Sequence, residues 1–465
     1  MFADCLTPAD PVRRDENSAF ETNRSRRAAV PRNTERQRRG GRRRVPAAET
    51  RAGFDGRARR DALNSATPDL HRWRNRPESG FVLDLLKSQL PTLITIAIAL
   101  GAILTTCAYL IYIERKISAF MQDRVGPNRV GPLGLLQPLA DGAKFLLKED
   151  VIPGHVDKVL YLLAPCVAVF TAMLAFAVVP FGPVGDEPSW MRFIIAPDLD
   201  MGMVFIFAIG SLSVYGVVLG GWASNNKYSA LGSLRASAQV VSYEIPLGMS
   251  ILGVALVSGT LNLEQILAQQ AKGGFLAWNV WTQPLACLIF FTASLAEANR
   301  LPFDLSECEQ ELVGGFHTEY SAMKFALFFL GEYTHMITIA FLMSVLFFGG
   351  WHSPLATAES AYPGAWAVKL GVLFAKVLLV ILFIMVIRWT IPRFRFDQLM
   401  GLAWKVLIPL ALGNVIALMV IRQFGLSLWW STVASAVMFC IAGAISTNAS
   451  RAALERARSP LATAG

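Results

Sequence analysis

The sequence predicts an all-α protein: a polytopic transmembrane helical bundle with an amphipathic surface helix after its first span. Three observations predict it. Of 465 residues, 54% are hydrophobic and 17% charged, with a mean hydropathy of +0.43; soluble chains run near a quarter charged. The apolar residues fall into blocks about as long as the ~20 residues a spanning helix needs. The blocks are continuous rather than alternating apolar and polar, which disfavours a transmembrane β-barrel.

The blocks give nine spans, at 88–113, 159–185, 201–226, 236–263, 273–296, 325–358, 365–387, 406–421 and 423–450. The fourth is interrupted only by Glu244 and the sixth only by Glu332, and the seventh carries Lys369 and Lys376. The loop after span 1 holds Arg115, Lys116, Arg124, Arg129, Lys144, Lys148 and Lys158. Lys227 and Arg235 follow span 3, Arg300 and Lys324 follow span 5, and Arg388, Arg393, Arg395 and Lys405 follow span 7. The intervening loops are poor in Lys and Arg, so the loops after odd-numbered spans are expected in the cytoplasm. The tail at 451–465, with Arg451, Arg456 and Arg458, then also lies inside.

Residues 1–80 differ from everything that follows. They hold 19 arginines, no lysine and 11 acidic residues, whereas the other 385 residues are almost neutral. The segment lacks the apolar core of a signal peptide and reads as an Arg-rich disordered leader, suited if anything to a nucleic-acid or lipid surface. On this topology it would lie outside, against the positive-inside bias. It is expected to be either dispensable or missing from the native protein, although no Met stands between Met1 and Met121. The six cysteines (Cys5, Cys107, Cys166, Cys287, Cys308, Cys440) show no CxxC spacing. They are expected to act as small hydrophobes, with no zinc or iron–sulfur site on this chain.

The cytoplasmic loops carry the chemistry. After Glu114-Arg115-Lys116 come two Gly-Pro steps, then leucines alternating with Asp141, Lys144 and Lys148 at near-helical period. The pattern predicts a helix lying along the membrane surface; by itself it suits a simple anchor or the mouth of a path for a lipid-soluble substrate. The stretch 296–320 sets Glu297, Asp304, Glu307, Glu309, Glu311 and Glu319 beside Arg300. If Pro302 only kinks the chain, Glu297, Arg300 and Asp304 share one helical face. A solvated acidic loop would look the same, but Glu244 and Glu332 lie inside spans. Carboxylates there tend to face the bundle interior and serve ion paths. Pro246 beside Glu244 suggests opened backbone at a cavity, and Lys376 either snorkels or pairs with one of these glutamates. Together the carboxylates are what a proton relay requires.

In order and spacing, the segments 114–149, 232–246, 296–332 and 392–405 resemble the H-subunit family of respiratory complex I, the proton-pumping NADH:quinone oxidoreductase; its mitochondrial members are called subunit 1. The resemblance covers roughly 81–422. It implies a subunit of an oxidoreductase, not catalytic alone, in the bacterial cytoplasmic membrane. Its partners would be other complex I membrane subunits and the peripheral subunits of the quinone site, together with lipid and quinone but no nucleic acid. No redox cofactor would be bound here, FMN and iron–sulfur clusters being carried by partners. Arg115, Arg124, Gln137, Asp141, Lys144, Arg300 and Phe303 would line or support the quinone passage. Glu114, Glu244, Glu297, Asp304, Glu307, Glu309, Glu311, Glu319 and Glu332 would form an acidic relay. The family usually has eight spans, so the ninth at 423–450 is an addition. A secondary transporter, the alternative from another class, would show an internal repeat with paired broken helices; none is visible.

Overall fold

A computed structural model describes residues 78–183, 193–197, 199–305, 312–353 and 364–462. All belong to one unit, Pro77–Gly465. Glu307, Glu309, Glu311 and the Arg-rich segment up to residue 77 lie outside the described residues.

The described residues form helices and no sheet. Helix α1 is Glu78–Met121, the surface helix α2 is Gln137–Leu147, α3 is Lys158–Leu174 and α4 is Gly202–Ala223. Then come α5, Lys227–Ser258, the short α6, Leu263–Lys272, and α7, Pro284–Glu297. Last are α8, Ala322–Leu346, α9, Ala365–Thr390, α10, Phe396–Gln423 with a π-turn at Ala403–Leu407, and α11, Trp429–Ala462. Seven of these are long and apolar enough to cross a membrane, and α7 and the apolar part of α11 are shorter. Every predicted span thus has a helix.

Local chemistry sets the ends. Asp157 accepts from the Val159 and Leu160 amides to cap α3, and Asn226 accepts from Tyr228 to cap α5; such caps satisfy amides that a helix start leaves open. Gly259, at φ 73°, closes α5 in the left-handed conformation that glycine adopts without strain. Small residues let α3 and α4 touch: Ala164 and Ala168 face Gly216 and Gly220, and a Cβ on Gly216 would lie 3.0 Å from the Ala168 amide nitrogen. Close approach of this kind drives helix association in lipid, where burial between helices gains little.

Helices α5 and α8 form the centre. Their apolar windows are 56% and 61% buried, against 22–39% for the other long spans, so both intramembrane glutamates sit on the most enclosed helices.

Two local expectations change, and one open alternative is decided. The predicted fifth span is only the 14 residues of α7, preceded by single turns at Phe275–Ala277 and Asn279–Thr282. Its irregular approach is tolerated because protein groups satisfy the backbone: the Gln270 side chain donates to the Val345 carbonyl at 2.9 Å and Asn279 to Leu346 at 2.8 Å. Helix α5 runs through Pro246 unbroken, and Glu244 is met there by the Ser211 hydroxyl of α4. Lys376 reaches neither glutamate. Its ammonium donates to the carbonyls of Phe348, Gly350 and His352 at 2.6–2.8 Å, past the C-terminal end of α8, and sits 4.1 Å from the Trp278 ring centre. It therefore moves to the loops at the opposite end of the bundle from the acidic segments, as snorkelling would have it.

Candidate functional site

The loops after spans 1, 3, 5 and 7 converge at one end. Glu114 lies near the C-terminal end of α1 and is 7% exposed. Tyr333 of α8 donates to its Oε2 at 2.5 Å, Arg300 approaches both oxygens at 3.4 Å, and Arg388, in the last turn of α9, pairs with Oε1. Arg300 turns its Nε to Glu332 Oε1 at 2.9 Å and lays its guanidinium 4.3 Å from the Tyr333 ring centre. Asp304 meets Arg393 at 3.3 Å. Three carboxylates thus face three guanidinium groups and balance their charge, with Glu114, Arg300 and Glu332 enclosed and the Asp304–Arg393 pair nearer the surface. That matters because an uncompensated charge at this depth costs several kcal/mol.

All of these groups but Arg393 wall a cavity of about 540 Å³, also lined by Arg115, Arg124, Asn299, Phe329 and Trp389. A second, apolar cavity of about 290 Å³ lies between α1, α2 and α8. The two share Ile111, Phe329 and Tyr333. Helix α2 forms where the amphipathic pattern predicts it and is fastened to α1 by Arg115–Asp141 at 2.7 Å, with Gln137 donating to the same carboxylate at 3.1 Å. Its Leu139, Leu146 and Leu147 stay exposed, as lipid contact requires.

A line of smaller spaces leads inward. Glu332 also lines a pocket of about 80 Å³ together with Glu297, His335 and His317. Glu297 and His335, joined at 3.1 Å, line the next space, of about 20 Å³, with Phe207 and Gly210 of α4. Ser211, the following residue, binds Glu244. Burial holds the His317 imidazole down at about 4 and pushes the Tyr320 phenol above its ordinary range.

The other predicted residues fall elsewhere. Glu297, Arg300 and Asp304 do not share a helical face, because α7 ends at Glu297 and Asn299 takes a φ of +49°. The chain leaves the helix there, and the three side chains diverge to His335, Glu332 and Arg393. Phe303 lies outside the cavity lining, stacked on Phe394 at 5.6 Å and tilted against Tyr243. Gln239 fixes this turn by donating to the Ala296 and Phe303 carbonyls. Glu319 accepts from the Asn226 side chain at 2.7 Å and holds the start of α5; Lys144 is exposed on α2. Sequence reasoning offered the intramembrane glutamates only Lys376 as a partner, and it pairs with neither. Tyr333 and His335 lie beside Glu332 on α8, and Arg388 had counted only as a loop charge for orientation. The signal available was that a carboxylate within a span needs a donor or cation at its own depth. Among the described residues, no group of His, Cys, Asp and Glu is arranged to hold a metal.

A multi-pass helical membrane protein whose buried carboxylates and arginines surround a cavity at one end is the class this fold and site define. The sequence profile of the NADH dehydrogenase family matches residues 94–419. The second H subunit of the NADH-quinone oxidoreductase of Koribacter versatilis is 47% identical over 70% of this chain and 95% of its own length. The H subunit of the Protochlamydia amoebophila enzyme is 48% identical over 67% and 91%, and NADH-quinone oxidoreductase subunit 8 of Rhodothermus marinus 47% over 68% and 93%. The chain belongs to the H-subunit family of NADH-quinone oxidoreductase, and its partners are other subunits of that complex. Helix α11 lies beyond the matched residues.

Proposed function

We propose that this chain forms the membrane-side quinone chamber of the oxidoreductase, its entrance from the lipid, and the first acidic residues of the path coupling quinone reduction to proton translocation. One observation carries the reading: the charged 540 Å³ cavity and the apolar 290 Å³ cavity meet at Ile111, Phe329 and Tyr333. A lipid-soluble headgroup enters between α1, α2 and α8 and arrives among ionised groups. Negative charge arising there draws on Arg300 and Arg388, and the carboxylates they leave take up protons. From Glu332 the protons pass inward by way of Glu297 and Glu244, with Glu307, Glu309, Glu311 and Glu319 feeding from the loop. The chain carries no redox centre of its own in this reading. FMN and iron–sulfur clusters sit on partners, and the membrane is the bacterial cytoplasmic membrane.

Ala326 of α8 lines the apolar cavity. Ala326→Trp fills the entrance while leaving the charged cluster intact. Quinone-dependent turnover of the assembled complex is expected to fall by about tenfold or more, an added barrier of about 1.4 kcal/mol. NADH oxidation by ferricyanide, which needs no quinone, stays unchanged. An unaffected quinone KM and kcat would place the entrance elsewhere.

A further inference from the structure

We infer that His335 is a proton-carrying link of the inward path, taking protons from the space beside Glu332 and holding them against Glu297. This deepens the proposed function and rests on it. His335 stands one turn beyond Glu332 on α8, and its ring is the bridge between two spaces that share few other groups. It lines the 80 Å³ pocket that Glu332 lines and also the 20 Å³ space beyond, and Glu297, Ala172 and Ser213 line both with it. Its Nε2 lies 3.1 Å from Glu297 Oε1, and both side chains are almost enclosed, 17% and 12% exposed.

An imidazole can accept at one nitrogen and release from the other. A proton entering the ring makes an imidazolium, whose charge the Glu297 carboxylate balances. Loss of a proton from the other nitrogen returns the neutral ring, so charge and protons are conserved. Among the described residues, the titratable groups around these spaces are Glu297 from α7, Glu332 on α8 itself and His317 from the turn before it. Helices α3, α4 and α5 present alanine, threonine, serine, glycine and apolar side chains there. His317, held down at about 4 by burial, stays neutral near pH 7 and does not share the task.

The test is made in the assembled complex. His335→Asn keeps a polar side chain but cannot be protonated. General acid–base groups contribute about 10²–10⁴-fold, so coupled quinone reductase turnover is expected to fall at least about a hundredfold. Its pH profile near neutrality is expected to change shape, while His317→Asn leaves that shape as in the wild type. A purely structural role would leave the profile unchanged. In His335→Ala, added imidazole is expected to restore turnover. If His335→Asn pumps and turns over as the wild type while Glu332→Gln and Glu297→Gln fail, the acidic path stands and His335 is no part of it. If all three behave as the wild type, the proposed function itself falls.

Discussion

Arg300→Leu is expected to abolish quinone reductase activity and to lower the amount of assembled complex. Arg300 is 7% exposed and serves Glu114 and Glu332 together while stacking on Tyr333. Leucine keeps some packing but leaves two buried carboxylates with one cation fewer. Breaking a buried ion pair by removing one partner costs about 3–5 kcal/mol. Glu114 retains Arg388 and Tyr333, so the burden falls on Glu332. Arg300→Lys is the milder change. An ammonium keeps the charge but lacks the planar fork that spans two carboxylates and covers a ring, and an intermediate loss is expected. Native gels report assembly, and NADH:quinone against NADH:ferricyanide rates report the site. Wild-type turnover in Arg300→Leu would mean the ion-pair cluster has no part in the reaction.

Glu332→Gln carries the second large effect. The carboxamide fills the same space, so the complex should assemble. It can neither balance Arg300 nor take and give a proton. Coupled turnover is expected to drop by at least about a hundredfold, the lower range for a positioned acid–base group, and protons moved per electron pair should fall with it. Vesicles containing the purified complex, followed with a pH-sensitive dye during NADH oxidation, give both quantities. Among the described residues, Glu332 is the single carboxylate shared by the large cavity and the first inner pocket. An unchanged ratio of protons to electrons in this variant would remove it from the path.

How much of this was legible in the sequence depended on the range of the interaction. Spans follow from lengths of apolar sequence, and the surface helix from its 3.6-residue period, so both appear where expected. Glu244 and Glu332 could be placed at depth because a charge inside an apolar block is visible in one dimension. Their partners could not. Arg300 meets Glu114 across 186 residues and Tyr333 meets it across 219, and no local pattern encodes such pairings. The spacing of Glu297, Arg300 and Asp304 was compatible with a helix that the backbone at Asn299 in fact ends. Span 5 read as continuous because the side chains that replace its missing helical bonds, Gln270 and Asn279, are themselves commonplace in a sequence. Lys376 was an isolated cation until the carbonyls of Phe348, Gly350 and His352 supplied its partners.

The most direct measurement is photolabelling. A quinone with a photoreactive group on its ring, added to membranes holding the assembled complex, is predicted to attach to the peptides containing Ile111, Phe329 and Tyr333, where the two cavities join. Excess unlabelled quinone should suppress the reaction. Attachment confined to the apolar groove of about 710 Å³ between α7 and α9, lined by Leu288 and Phe383, or to other subunits alone, would contradict a quinone chamber at this end of the chain.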